Sequence, residues 1–321
     1  MRLTRRAPAA PSPSPSYDVP QRFTGADEGE LPTVAAITMA RDEGPMLRKW
    51  VDHYVAQLGA DHVLVVDDNT VDGSTDDLPC PVIKIPYLRK KAFEPSRMGV
   101  VSGLAAGLLE AYDAVLFTDA DEFVVADPRV HESLRHFVAS RPGRHAIGVL
   151  GLNLMHDVAN EPPLDLSRPV LEQRRLAKFL PLMCKPSLKF VPADWVLASH
   201  GIRAPFAVDP ELWMFHLKFA DRDHLLRVAE HRHQLNRTEG RAGRTSWARP
   251  GDEMVALLDE AAAGVAEAAI KPFDPERGKP ALDEIVQQIE PDVWRAVGHG
   301  QAKAMANRRI VRIPGRFVGT F

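Results

Sequence analysis

Three short acidic stretches hold the side chains best suited to chemistry. The sharpest runs Val115-Leu116-Phe117-Thr118-Asp119-Ala120-Asp121-Glu122-Phe123. In extended backbone alternate residues point the same way, so Asp119 and Asp121 can face one hard cation. The plainer reading is a solvated acidic turn, and the preceding apolar run together with Glu-Phe behind it favours the metal or diphosphate role. The second stretch is Asp67-Asp68-Asn69-Thr70-Val71-Asp72-Gly73-Ser74. By itself it is a turn rich in Asx and Gly. As a site, its carboxylates would accept hydrogen bonds from a base N–H or a ribose hydroxyl. The third is Met39-Ala40-Arg41-Asp42-Glu43-Gly44-Pro45, where a helix N-terminus and Arg41 would meet an anion. Alone it would be only a capped helix.

These stretches need elements that bring them together. Thr33–Met39 reads as a short strand. Pro45 opens a helix whose apolar residues Leu47, Trp50, Val51, Tyr54, Val55 and Leu58 share one face, with Gly59 at its C-cap. His62–Val66 and Val82–Ile85 are further strands. Ser96 is placed to cap a second helix carrying Val101, Leu104, Ala105 and Leu108 inward, and Ala114–Thr118 is a fourth strand. Strands and helices in this order predict an α/β fold, a mostly parallel central sheet with flanking helices. Ligands of such sheets bind beyond the carboxyl ends of the strands, which is where all three acidic stretches fall.

Beyond Phe123 the signals thin. A helix around Val130–Val138 and a strand around Ala146–Leu152 are expected, followed by a loop-rich region over 153–220. Asp221 is placed to cap a helix reaching about Leu235. Residues 252–270 read as an Ala-rich helix with Met254, Leu258, Ala261 and Val265 inward, and Leu282, Ile285, Val286 and Ile289 outline another. The C-terminal Arg308, Arg309, Arg312 and Arg316 suggest no element. Residues 1–30 read as a Pro/Ser-rich disordered tail. The expected organisation is that tail, a domain over 31–240 split near residue 125, and a helical extension over 241–321.

Composition narrows the partners. With 45% apolar and 26% charged residues over 321 positions the chain is globular rather than disordered. Forty Lys and Arg against 43 Asp and Glu leave a charge of -3, which gives no electrostatic case for a nucleic-acid partner. Cys80 and Cys184 are too few for a disulfide framework or a Cys-only zinc site. No apolar run approaches the ~18 residues of a transmembrane helix, and Ala7 to Ser16 offers no signal-peptide core. A soluble, cytoplasmic protein is expected.

Together the three stretches resemble the nucleotide-diphospho-sugar glycosyltransferases of the family 2 type, which have the GT-A fold. The branch most similar carries a "DNxSxDGT"-like stretch and "DADEF". The resemblance covers 33–125 firmly and 145–235 more loosely. Asn69-Thr70-Val71 departs from the usual Asn-Ser-Thr, which leaves open whether Asp67 or Asp68 meets the base. The resemblance implies a nucleoside pocket of Arg41, Glu43 and Asp67, with Arg97 near the base or diphosphate. It also implies Asp119 on the ribose or metal, and Asp121 on Mn2+ or Mg2+ and the diphosphate oxygens. A late His completing the metal shell would be His216, in Trp-Met-Phe-His-Leu-Lys-Phe, or His200, with His216 preferred and Lys218 then approaching the diphosphate.

The implied activity is transfer of a sugar, with a UDP-sugar donor favoured, to a saccharide or other hydroxyl acceptor, with inversion. Such a reaction needs a general base, and Asp157 and Asp194 in the loop-rich half are the candidates. Trp195 and Trp213 would supply a sugar-stacking face, or simply core. His224, His231 and His233 lack a tetrahedral ligand set and read as part of a solvated helix. Two rival readings are a sugar-nucleotide nucleotidyltransferase, for which Met39–Pro45 has too few glycines, and a non-catalytic carbohydrate- or protein-binding module, which would not need the acidic set intact.

Overall fold

The computed structural model describes residues 31–86, 93–240, 249–262, 270–275, 282–298 and 310–321. The expected tail over 1–30, Val265, Arg308 and Arg309 lie outside the described residues. The strands are β1 (Val34–Ala40), β2 (Val63–Asp67), β3 (Val82–Lys84), β4 (Ala114–Phe117), β5 (Glu122–Ala126), β6 (Ala146–Met155) and β7 (Leu176–Phe179). They continue with β8 (Leu188–Lys189), β9 (Trp195–Val196), β10 (Gly201–Ile202), β11 (Phe206–Phe219), β12 (Val286–Glu290), β13 (Val293–Ala296) and β14 (Val311–Arg312). The helices are α1 (Pro45–Leu58), α2 (Phe93–Leu108), α3 (Leu134–Ala139), α4 (Val170–Gln173), α5 (Arg222–Glu239) and α6 (Gly251–Ala262).

The α/β class follows from β1. All seven of its residues are buried, so both faces of the strand need cover. Val34, Ala36 and Ala40 pack toward one face with Trp50, Val51 and Tyr54 of α1. Ala35, Ile37 and Met39 pack on the other with Met98, Val101 and Ala105 of α2. A period of two along the strand thus assigns one helix to each face. Parallel pairing joins β3, β2, β1 and β4. Antiparallel β8 then links β4 to β6, and β7 and β14 extend that end.

Strand β11 is the hinge pin of the site. It pairs parallel with β6 and antiparallel with β5, and the register sets His216 opposite Glu122 on one side and Asn153 on the other. A second, four-stranded sheet runs β12-β13-β10-β9. Residues 286–290 are therefore a strand, not the helix that the spacing of Leu282, Ile285, Val286 and Ile289 suggests. Leu282 and Ile285 are buried in the turn that precedes it, while Ile289 is exposed. Pairing with β13 outweighs a four-residue helical pattern. Helix α2 also begins three residues before Ser96, which draws Phe93 into the core. Asp221 caps α5 as expected, its carboxylate accepting the His224 N–H at 2.8 Å.

One close approach constrains the sequence near the site. A Cβ on Gly151 of β6 would lie 2.2 Å from the Met183 carbonyl oxygen and 2.5 Å from its Cβ. Backbone cannot give way as a flexible side chain can. Gly151→Ala is expected to destabilise the protein by about 3 kcal/mol, at the upper end of overpacking costs; an unchanged denaturation midpoint would show that the 181–183 turn can move.

Candidate active site

Three loops follow the carboxyl ends of β1, β2 and β4, and the first two brace one another. Asp42 Oδ1 accepts the N–H groups of Val71 and Asp72 at 2.7 and 3.1 Å, and Asp72 Oδ2 accepts the Gly44 N–H at 3.0 Å. Gly44 has φ 55° and ψ -141°, a backbone state reserved for glycine. The β4–β5 loop is pinned equally well. The Trp50 indole N–H donates to Thr118 at 2.8 Å, the Glu122 N–H to the Asp119 carbonyl at 3.0 Å, and the Leu217 N–H to the Asp121 carbonyl at 2.8 Å.

These loops, the end of β11 and one face of α5 enclose a cleft of about 590 Å³. Of the residues expected at the site, Arg41, Glu43, Asp68, Arg97, Asp119 and Asp121 line it, joined by His216 and Lys218. Asp67 stands behind the wall. It is buried, accepts the Thr70 N–H at 2.7 Å and lies 3.5 Å from Lys84, so its place is in the turn, while Asp68 takes the cleft side. Asp157 and Asp194 do not line the cleft. Asp157 closes a turn after β6 with Asn160 and Glu161, and Asp194 is exposed just before Trp195. Trp195 and Trp213 are fully buried core residues rather than sugar-stacking faces.

The Asp-x-Asp pair is divided in its contacts. Asp119 Oδ1 accepts from Arg97 at 2.8 Å and Oδ2 from Lys185 at 3.2 Å. Lys185 also donates to buried Glu122 at 2.6 Å, and Arg97 to Glu94 at 3.0 Å. Burial opposes ionisation of Asp119, yet Lys185 and Arg97 outweigh it and hold the carboxyl far below the usual carboxylate range. Asp121 faces His216 instead, with Nε2 3.2 Å from Oδ2. On the far side of the ring, Nδ1 lies 2.8 Å from Asn153 Oδ1. Nδ1 is therefore the donor to Asn153, which turns Nε2 toward Asp121. Against burial, His216 keeps the Asp121 carboxyl well below its ordinary range.

Among the described residues no three or more His, Cys, Asp or Glu side chains form a ready-made metal cage. A carboxylate oxygen and an imidazole nitrogen held side by side still fit a divalent cation whose remaining ligands are substrate phosphates and water, the usual arrangement for Mg2+. His200 is set apart from that pair. Its Nδ1 donates to the Leu182 carbonyl at 2.6 Å, and burial, aided by Lys185, lowers its pKa to about 3. It follows three consecutive left-handed residues, Leu197, Ala198 and Ser199, with φ of 55°, 56° and 68°. Each costs on the order of 1–2 kcal/mol in such a state, and Leu197 and Ala198 form part of the cleft wall.

Sequence reasoning missed the fourth wall. His224, Arg227, His231 and Arg232 of α5 all line the cleft, so this helix face is not simply solvated. The spacing of three and four residues between His224, Arg227 and His231 was the available signal. His231 lies 3.5 Å from Asp42 and Arg232 3.7 Å from Glu43, tying the helix to the β1–α1 loop. Lys185 had no signal at all. Burial raises the Glu43 pKa to about 7 despite Arg232. A raised carboxyl pKa adds stability below the unfolded value near 4.5 and loses it as pH climbs through 7. Glu43→Gln is thus expected to gain stability relative to the parent between pH 5 and 8. Parallel melting curves across that range would refute the raised pKa of Glu43.

No protein-family model and no curated protein matches the chain. Solved structures do. Glucosyl-3-phosphoglycerate synthase from Mycobacterium tuberculosis, in complex with Mn2+, UDP and glucosyl-3-phosphoglycerate, aligns at 15% identity over 42% of this chain and 50% of that one, with a TM-score of 0.28. The same enzyme with Mn2+, UDP-glucose and phosphoglyceric acid aligns at 15% identity over 40% and 49%, TM-score 0.27. Its complex with Mg2+ and UDP gives 16% identity over 40% and 49%, TM-score 0.28. The alignments span about half the length of those chains.

Proposed function

We propose that this chain is a cation-dependent glycosyltransferase of the GT-A type that moves a sugar from a nucleotide-diphospho-sugar to an acceptor hydroxyl. A UDP-sugar is the first donor to test. The observation that carries the reading is the meeting of three strand-end loops in one cleft, with the Asp121–His216 pair at its base. Asp121 and His216 would hold Mn2+ or Mg2+, which when bound offsets the negative charge growing on the leaving diphosphate. Arg41, Glu43 and Asp68 would receive the nucleoside, with the Asp42 and Asp72 hydrogen bonds keeping their loops in place. Asp119, fixed by Arg97 and Lys185, would present its carboxylate to a ribose hydroxyl. Lys218 borders the same recess as Asp121, and burial lowers its pKa to about 8; it would stay largely protonated at neutral pH and face the diphosphate.

Inversion at the anomeric carbon would require the acceptor proton to pass to a base within reach of the cleft. Asp157 and Asp194, the sequence candidates, stand outside the cleft lining. Calorimetry with UDP, with and without Mn2+, tests the donor reading directly. Metal-dependent binding is the expected result. UDP that binds equally well without metal, or not at all, would overturn it. With the donor reading upheld, release of free sugar or transfer across an acceptor panel separates an enzyme from a binding module.

A further inference from the structure

A second cavity of about 330 Å³ lies between the first turn of α1, residues 164–167 and α5, at the lower end of the range for small-molecule sites. Pro45, His224 and Arg227 line both it and the main cleft. His224 also borders the recess that holds Asp121 and Lys218. A molecule in the side cavity would therefore neighbour the transfer centre.

The charges at this junction do not cancel. Arg227 is exposed, and neither it nor the His224 ring has a hydrogen-bond or ion-pair partner among the described residues. The two other basic side chains on that helix face, His231 and Arg232, already lie against Asp42 and Glu43. The acids of the side cavity are occupied as well. Asp221 accepts the His224 and Leu164 N–H groups, each at 2.8 Å, and faces Arg174 at 3.8 Å. Asp165 Oδ1 accepts from Ser167, at 2.9 Å from its N–H and 2.6 Å from its hydroxyl. What remains for a ligand is a guanidinium and an imidazole, the pair of donors that suits a carboxylate or phosphate.

We propose that the acceptor is an anion, and that Arg227 and His224 bind its carboxylate or phosphate where the cleft opens into the side cavity. This rests on the glycosyltransferase reading, which makes the side cavity the acceptor's place. Arg227 gives a bidentate, permanently charged grip. His224 adds a ring N–H on the side nearer Asp121, so the acceptor hydroxyl would be presented toward the donor sugar with its anionic group held away from the diphosphate.

The test uses three hexoses that share a ring and differ in charge: glucose, glucose 6-phosphate and glucuronate. Each is titrated into the full-length protein by calorimetry, with and without saturating UDP and Mn2+. At least one anionic hexose is expected to bind about tenfold or more tightly than glucose, as a charge-assisted hydrogen bond provides. Whichever anion wins distinguishes a phosphate from a carboxylate acceptor. Arg227→Gln should bring that ligand down to the glucose level, and Arg227→Lys should keep part of the preference. Equal binding of all three, binding of none, or an unaltered preference in Arg227→Gln would overturn the proposal. So would a fall in UDP affinity matching the fall for the anion, because Arg227 would then serve the donor. Loss of metal-dependent UDP binding in the parent protein, with anion preference intact, would sink the donor reading alone.

Discussion

Asp121→Ala is expected to cut sugar transfer by a thousandfold or more, roughly the scale of losing a main electrostatic stabiliser of the leaving group. The fold should survive. The backbone carbonyl of residue 121, not its side chain, accepts the Leu217 N–H that joins the β4–β5 loop to β11. The His216 ring keeps its bond to Asn153. Asp121→Asn preserves shape and removes only charge, so it separates cation binding from packing. Both variants should need far more Mn2+ for nucleotide binding. Near-normal turnover in either would remove Asp121 from the metal role and with it the core of the proposed mechanism.

The largest expected loss of stability comes from Lys185→Met. Lys185 is 3% exposed and Glu122 1%, and the ammonium also serves Asp119. Taking away the cation strands an acid in the interior, a change that costs about 3–5 kcal/mol when one partner of a buried pair is lost. For a chain of this size that lowers the melting temperature by roughly 10 °C. The loss should depend on pH. Burial already raises the Glu122 pKa above its ordinary 4.5, with Lys185 opposing it. Without Lys185 the acid is held protonated to higher pH, so the variant is least penalised at or below 4.5 and loses more as pH rises through the new value. Adding Glu122→Gln should restore part of the loss. Equal melting of single and double variants would mean that Lys185 is held by Asp119 alone.

The first half of the chain was readable because its demands are local. Runs such as Val63–Val66 are apolar on successive residues, Leu47 to Leu58 repeat at helical spacing, and Pro45 and Gly59 mark the ends of that helix. Wherever such a strand stops at Asp or Arg, the polar residue has only the sheet's end to occupy. The alternative between Asp67 and Asp68 could not be resolved this way. Asp67 ends the strand and Asp68 follows it directly, and only the turn closed by Thr70 turns one inward and leaves the other at the cleft.

Residues whose role depends on distant partners gave no such sign. Lys185 sits in a loop without periodicity, and its importance comes from two acids more than sixty positions away in sequence. His216 could be suspected, but Asn153, which orients it, is found only through the β6–β11 register. The His- and Arg-bearing face of α5 was visible as a spacing and undervalued, because a helix with so many polar residues looks solvated until something is packed opposite it. The stretch 282–289 failed for the converse reason: a pattern compatible with helix was claimed by a neighbouring strand.

The sheet's connectivity bears on how the protein is made. Strands β1 to β4 can assemble among themselves soon after synthesis has passed Phe117, yet the edge of β4 waits for Leu188 and Lys189, about seventy residues later. Strand β7 waits longer still, for Val311. During vectorial translation at ~5–20 residues per second, the ribosome would carry for several seconds a half-sheet with an open, apolar margin at Val115 and Leu116. Such a margin invites pairing with other chains until β8 covers it.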